Sequence, residues 1–391
     1  MDVVIIGGGV YGAGVAWELA QRGVEVLLLE GKGIAAGASG GLGKRGVRAN
    51  GRDLRELPLM RLAYELWPVL EEQIGAPTGY ERTGHLQLIE QQRDYEGAVA
   101  YAWVQEKHGI PTQLVTGQAL REMEPYLSEQ VQAALYCPQD GVADHTATTR
   151  ALAQAAQRHG AEIREQTCVI SLEQEGDRIT AVLTADEERI PVRRYVLLLV
   201  NAQVPDMLQT HFGIVLPVWR ILPQIVLTTP VTPAPVQHLI GHAHRRLAIK
   251  TTPDERLMIS GGWRGQWNPT TGRGDTQPEQ IQGNVAEAVA VYPCLQGIAV
   301  AEAAADRPET LAIDGIPIID RVPDTSNAFF ATGWSGHGWA IAPAVCQLLA
   351  TWVTTGYMPA LLQPFVYSRF SPGRRERGAA CRRQQRSAYQ F

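Results

Sequence analysis

The opening stretch MDVVIIGGGVYGAGVAWELAQRGVEVLLLE leaves little freedom in how this chain begins to fold. Val3 to Ile6 is a short apolar run of strand type. Gly7, Gly9 and Gly12 follow with the spacing GxGxxG. Val10 to Arg22 carries helical periodicity, with Val15 and Leu19 on one face, and Gly23 ends it. Val24 to Leu29 predicts a second buried strand, closed by Glu30. Strand, glycine turn, helix and strand make a βαβ unit, so the fold class is α/β with a Rossmann-like sheet.

Each part of the turn has a physical task. Gly7 permits the tight bend, Gly9 lets backbone approach a pyrophosphate, and Gly12 lets helix and strand pack closely. The free N–H groups around Val10 and Tyr11, at the positive end of the helix dipole, suit phosphate oxygens. A carboxylate at Glu30 can accept ribose hydroxyls and repels a 2′-phosphate. The loop therefore predicts a dinucleotide site, without separating FAD from NAD. The next segment, GKGIAAGASGGLGKRGVRAN at 31–50, is rich in small residues and suits a chain lying along a long, flat cofactor.

The 391 residues are enough for two or three lobes, and 45% hydrophobic with 19% charged residues predicts a folded protein. A net charge of −5 argues against nucleic acid as a partner. Cys137, Cys168, Cys294, Cys346 and Cys381 form no CxxC pair, which reads as reduced, buried thiols in a cytoplasmic protein without a zinc site. The N-terminal apolar run is too short for a secretion signal, and no run of ~18 apolar residues is present to span a membrane.

Three segments resemble the glycine oxidase, sarcosine oxidase and D-amino acid oxidase family of FAD-dependent oxidoreductases. They are the N-terminal unit, AAGASGGLGKRGVR, and DGIPIIDRVPDTSNAFFATGWSGHGWAIAP. The resemblance covers roughly residues 1 to 365. It implies an FAD domain assembled from 1–85, 142–215 and 305–365, with a substrate domain on a mixed or antiparallel sheet from 86–141 and 216–304. It also implies flavin contacts at Ala38, Ser39, Gly40, Gly41 and Leu42, and an adenine contact through the Val169 backbone. Gly333, Ser335, Gly336, His337, Gly338 and Trp339 are implied to close over the flavin, which is held non-covalently. The family's Ala-Gly after the strand RYVLLLVNA is Ala202-Gln203 here, a departure at a close backbone approach.

The rest of the chain agrees with that plan. Residues 160–202 read as short strands turning at Glu175–Gly176 and Asp186–Glu187. Residues 217–229 and 246–263 read as strands, and 278–291 as a helix. Phe329 to Thr332 reads as the last strand of the nucleotide sheet. Gly333 to Gly338 is a turn, Pro343 occupies the first turn of a helix reaching Val353, and that helix N-terminus aims at the flavin. Residues 371–391, arginine-rich and without apolar period, read as a disordered basic tail.

Amine oxidation by a flavin needs a neutral amine, a carbon facing the flavin and a field that stabilises negative charge. By resemblance, Arg307 grips a substrate carboxylate, with a surface pair to Asp306 or Glu309 as the alternative. Arg48 is the second candidate clamp, with Lys44 and Arg45 as competitors. His337 lies near the flavin edge. The lysine that some relatives carry over the flavin is Met258 here, and another is Ala340. Cys346 reads as core. The implied function is oxidation of a small secondary, N-methyl or D-amino acid to an imine, with oxygen or another electron acceptor. Two alternatives stay open: a flavin subunit of a hetero-oligomeric dehydrogenase, and a flavin-binding protein without turnover. Homo- and hetero-oligomers are both open.

Overall fold

The computed structural model describes residues 1–37, 39 and 43–371. The nucleotide sheet has six strands in the order Ile318–Arg321, Ala328–Thr332, Tyr195–Leu198, Val3–Ile6, Val26–Leu29 and Glu162–Arg164. All neighbours are parallel except the first pair. Val3–Ile6 is buried at every position, as a strand covered on both faces must be. The predicted second strand is shorter than expected. Val24 donates back to Leu19 O in the helix C-terminal turn, so pairing begins at Val26.

The helix Val10–Gln21 packs between His145–Arg158 and Gly338–Thr355. Gly14 is the contact point. A Cβ there would sit 2.5 Å from Cys346 Sγ and 3.8 Å from Leu152 Cδ1. Forcing a methyl into that gap costs about 1–3 kcal/mol. The long helix Leu57–Ile74 closes the same face. Its Trp67 is fully buried, and the indole Nε1 donates to Ala340 O at 2.8 Å.

Pro343 is not in the first turn of the last helix. That helix starts at Gly338 and runs to Thr355, with Pro343 inside it as the sixth residue. Gly338 starts it because a Cβ there would lie 2.9 Å from Trp334, so only glycine can turn the chain so tightly.

A three-stranded meander, Val169–Glu175, Arg178–Thr184 and Arg189–Pro191, turns at Gly176 and Glu187 as the sequence predicts. The second large sheet has eight strands, in the order Val300–Ala304, Ile225–Thr228, Leu257–Ser260, Ala248–Thr251, Leu239–His242, His85–Ile89, Ala133–Cys137 and Gln113–Thr116. Only Leu239–His242 and His85–Ile89 run parallel. That pair stitches two distant chain stretches into one mixed sheet. The helix Pro278–Val291 packs on it through Ala288 and Val291.

Two short ribbons tie the sheets together. Lys44–Val47 pairs with Gly141–Asp144, and Val218–Ile221 pairs with Glu309–Ala312. Cys137 and Cys346 are buried as expected. Cys168 and Cys294 are exposed, because Cys168 precedes the edge of the meander and Cys294 lies within the short turn Pro293–Leu295, neither in a core strand. Cys381 and the rest of 372–391 lie outside the described residues. No helix among the described residues is long and apolar enough to cross a membrane.

Candidate functional site

The N-terminal glycines divide by what surrounds them. At Gly12 a Cβ would fall 1.8 Å from Gly7 O, and at Gly7, with φ +114°, 2.6 Å from Leu199 O. Both positions are closed by the protein itself. At Gly9 a Cβ would meet nothing within 4 Å. Gly9 is also the N-cap of Val10–Gln21, with no side-chain cap and no acid in the first turn. An uncapped helix N-terminus beside open space is a cradle for phosphate oxygens. Gly8, between them, meets Ile34 and Glu30 instead and is a packing glycine.

Glu30 stands at the end of Val26–Leu29. Its carboxylate accepts Gly8 N–H at 2.6 Å and Lys32 N–H at 2.8 Å, which holds it beside the loop. Val169 begins the meander next to Cys168, whose Cβ lies 3.5 Å from where Gly31 would carry one. The structure therefore brings Glu30 and Val169 to one end of the cradle. The Tyr11 side chain is engaged within the protein. Its ring stacks on Trp334 at 3.7 Å, and its hydroxyl donates to Gly338 O at 2.5 Å. Burial pushes that phenol well above its ordinary range. Gln203 is exposed and its N–H turns back to Val200 O, opening the helix Val204–Phe212.

Ala38, Gly40, Gly41 and Leu42 lie outside the described residues. Ser39 is described, and its hydroxyl donates to Glu309 Oε2 at 2.7 Å. Glu309 is buried, and Asn201 Nδ2 and Thr310 N–H donate to its other oxygen at 3.0 and 2.8 Å. Burial raises its pKa against those hydrogen bonds. Asn201 sits at φ +43°. Its backbone carbonyl accepts from Thr332, and its side chain accepts from Thr310. Thr310 in turn accepts Gly333 N–H at 2.9 Å. One polar network thus ties Ser39 to the Gly333–Gly338 turn. In that turn Gly333, Ser335 and Gly336 all have positive φ, and Ser335 Oγ accepts Ala312 N–H at 3.1 Å.

His337 precedes the helix Gly338–Thr355, which has no side-chain cap and no acid in its first turn. Its carbonyl accepts Arg52 Nη2 at 2.6 Å. Arg52 also donates to Arg48 O at 2.6 Å and to Glu56 Oε1 at 2.8 Å, and both members of the Arg52–Glu56 pair are buried. Burial, with Arg48 and Arg52 alongside, holds the His337 ring well below the usual histidine range, so it is neutral. Its Nδ1 lies 3.9 Å from Glu56 Oε2, too far for a hydrogen bond. Trp339 tilts against Trp67 at 5.0 Å and meets His145 edge-on at 6.1 Å.

The candidate clamps separate. Arg48 is drawn into the Arg52 group: Nη1 donates to Asn50 O, and burial beside Arg52 lowers its pKa. Asp140 faces it, held by Ala49 N–H at 2.7 Å and by Tyr64 OH. Arg45 and Arg307 instead face each other. Burial and the Arg307 charge push Arg45 down to about 10, with Asp144 and Glu309 opposing. Arg307 Nε is 4.0 Å from Asp306 Oδ1 and the side chain is partly exposed.

Sequence reasoning missed Lys250. It lies in Ala248–Thr251, directly opposite Met258 across the hairpin, with Met258 Cε 2.9 Å from where Gly43 would carry a Cβ. Its Nζ donates to Lys44 O. Burial, then Arg45 and Lys44, lower its pKa to about 7. The available signal was a lysine in an otherwise apolar strand, LAIK, whose partner across the hairpin is Met258. His145 opens its helix nearby, with Nδ1 3.2 Å from Gly43 O, and burial lowers it to about 3. Among the described residues one cluster, Glu90, His242 and His244, has metal-ligand residue types within 4.8 Å. Arg245 already donates to Glu90, and His242 Nδ1 accepts two backbone N–H groups. The cluster is wired as an ion-pair network.

The family model for FAD dependent oxidoreductases matches residues 2–352. The chain belongs to that family. It is 27% identical to glycine oxidase of Geobacillus kaustophilus, over 94% of this chain and 97% of that one. It is 25% identical to sarcosine oxidase subunit beta of Arthrobacter sp, over 97% and 94%. The crystal structure of L-proline dehydrogenase from P. horikoshii superposes with a TM-score of 0.85 at 27% identity, covering 94% of this chain and 97% of that one. The chain spans only 42% and 43% of two longer relatives. FAD is the family's cofactor, and the open, uncapped cradle at Gly9 fits it. Val10–Gly12 N–H groups would hold the pyrophosphate, Glu30 the ribose, and the Gly333–Gly338 turn the ring system.

Proposed function

We propose that this chain oxidises a small secondary, N-methyl or D-amino acid to an imine. The observation that carries the reading is the cationic group at the meeting of the two sheets: the Arg307 charge helps to depress Arg45, and Arg45 and Lys44 help to depress Lys250. Bringing cations together in a buried place costs free energy, and a bound carboxylate offsets it. Arginine grips a carboxylate with two parallel hydrogen bonds, so Arg45 and Arg307 are the clamp in this reading. FAD, when bound, would supply the hydride acceptor for the carbon next to nitrogen. The chain orients that carbon, excludes water and keeps the amine unprotonated. The uncapped helix N-terminus that follows the neutral His337 supplies a positive field without an acid or base.

The test is an anaerobic screen for loss of the visible flavin band over N-methyl, cyclic and D-amino acids, followed by oxygen. Bleaching by any of them supports the reading. Recovery with oxygen makes the protein an oxidase, and recovery only with a quinone or partner makes it a dehydrogenase. Bleaching by none leaves a flavin-binding protein without turnover. A subunit role is the second reading, favoured by Gln92–Lys107, where Val99, Tyr101 and Trp103 are all more than half exposed. Native mass and co-purification separate a cytoplasmic homo-oligomer from a hetero-oligomer.

A further inference from the structure

Whatever carboxylate-bearing amine enters this site arrives mostly as a zwitterion, and an ammonium nitrogen has no lone pair to release with its neighbouring hydride. Something must take that proton. Three side chains come into question: His145, His337 and Lys250. His145 has Nδ1 engaged with Gly43 O and Nε2 beside Thr146 Oγ1 at 3.4 Å. His337 is closed in by Arg48 and Arg52. Both rings are too weak as bases to hold an amine's proton.

Lys250 is different in kind. A neutral lysine amine keeps two N–H bonds and one lone pair; one N–H serves Lys44 O, and the lone pair remains. The charged groups that face it are Lys44 and Arg45, both on the ribbon that crosses from the nucleotide sheet. Behind Arg45 stand Arg307, Asp144 and Glu309, and Lys44 is paired with Glu81 at 2.5 Å. Resting on the carboxylate reading above, we propose that Lys250 takes the proton from the substrate's ammonium group as the substrate binds. The N–H bond of the ammonium breaks, an Nζ–H bond forms, and the net charge of the site is unchanged. The product pair is favourable on both sides: the lysine ammonium meets the bound carboxylate, and the amine is left neutral for oxidation. A pKa near 7 for the empty site matches that task, since the group is largely neutral at pH 8 yet becomes a stronger base once an anion sits beside it.

The test uses the FAD-loaded protein and acetate, which has the carboxylate but no amine. Acetate binding is followed by its perturbation of the visible flavin spectrum, and proton uptake by a pH indicator in weak buffer at pH 8. The wild type takes up about one proton per acetate bound, because the anion raises the lysine pKa. K250M and K250Q bind acetate with no uptake. In anaerobic reduction below the free amine's own pKa, both variants slow about tenfold per pH unit, where the wild type stays level to about pH 7. Acetate binding without proton uptake in the wild type overturns the role of Lys250 and leaves the carboxylate reading standing. No spectral change with acetate overturns the carboxylate reading, and this proposal with it.

Discussion

The glycine loop and the cationic junction are built in opposite ways. The loop is six consecutive residues fixed by close steric contact: Gly12 is a glycine because Gly7 O occupies the space of its Cβ, and Gly7 because Leu199 O does. The junction draws Lys44 and Arg45, Lys250 and Met258, and Arg307 from three distant segments: two strand pairs and the bend ahead of Glu309–Ala312. A site made by local sterics tolerates almost no change. One assembled from distant segments tolerates side-chain replacement and fails through charge.

The largest effect expected from this contrast is within the loop. Gly12→Val should cost about 3 kcal/mol or more and abolish flavin retention, read by thermal melting and the visible-to-ultraviolet absorbance ratio. Gly9→Ala should leave the flavin-free protein within about 0.5 kcal/mol of wild type yet weaken FAD binding. Equal behaviour of the two variants breaks the division between closed and open glycines.

Next comes Arg52→Ala, expected to cost about 3 kcal/mol in urea unfolding, since it strands the buried Glu56 and frees the His337 carbonyl. Arg52→Lys should not restore it, because an ammonium cannot span Arg48 O, Glu56 and His337 O together. Lys250→Met should do the reverse and fold at least as well as wild type near pH 7. The folded pKa of about 7 lies below the ordinary 10.5, so the unfolded chain binds more protons between those values. Stability therefore rises with pH across that window in the wild type, and Lys250→Met should flatten the rise. The smallest effect belongs to the rim: Arg189→Ala, from the exposed pair with Glu173, should stay within about 0.5 kcal/mol.

The same contrast explains what was legible in the sequence. The strand Val3–Ile6 and the helix Pro278–Val291 could be read because periodicity and caps are local. The start of the last helix was misplaced because Pro343 looks like a first-turn proline, whereas the decision is taken by the steric contact of Gly338 with Trp334. The exposure of Cys168 and Cys294 depends on where turns meet the rim, which composition does not encode. Lys250 escaped notice because its meaning comes from the residue opposite it. Arg45 and Arg48, three residues apart, went to different networks for the same reason.

The central claim is that the junction reads a carboxylate on an amine, and twin substrates test it most directly. N-methylglycine and dimethylamine, or proline and pyrrolidine, differ only in that group. Anaerobic stopped-flow should show the visible flavin band lost at least about 100-fold faster with the acid of at least one pair, with the advantage shrinking in R45M and R307M. Equal rates within each pair, or an advantage that survives both substitutions, contradicts the account.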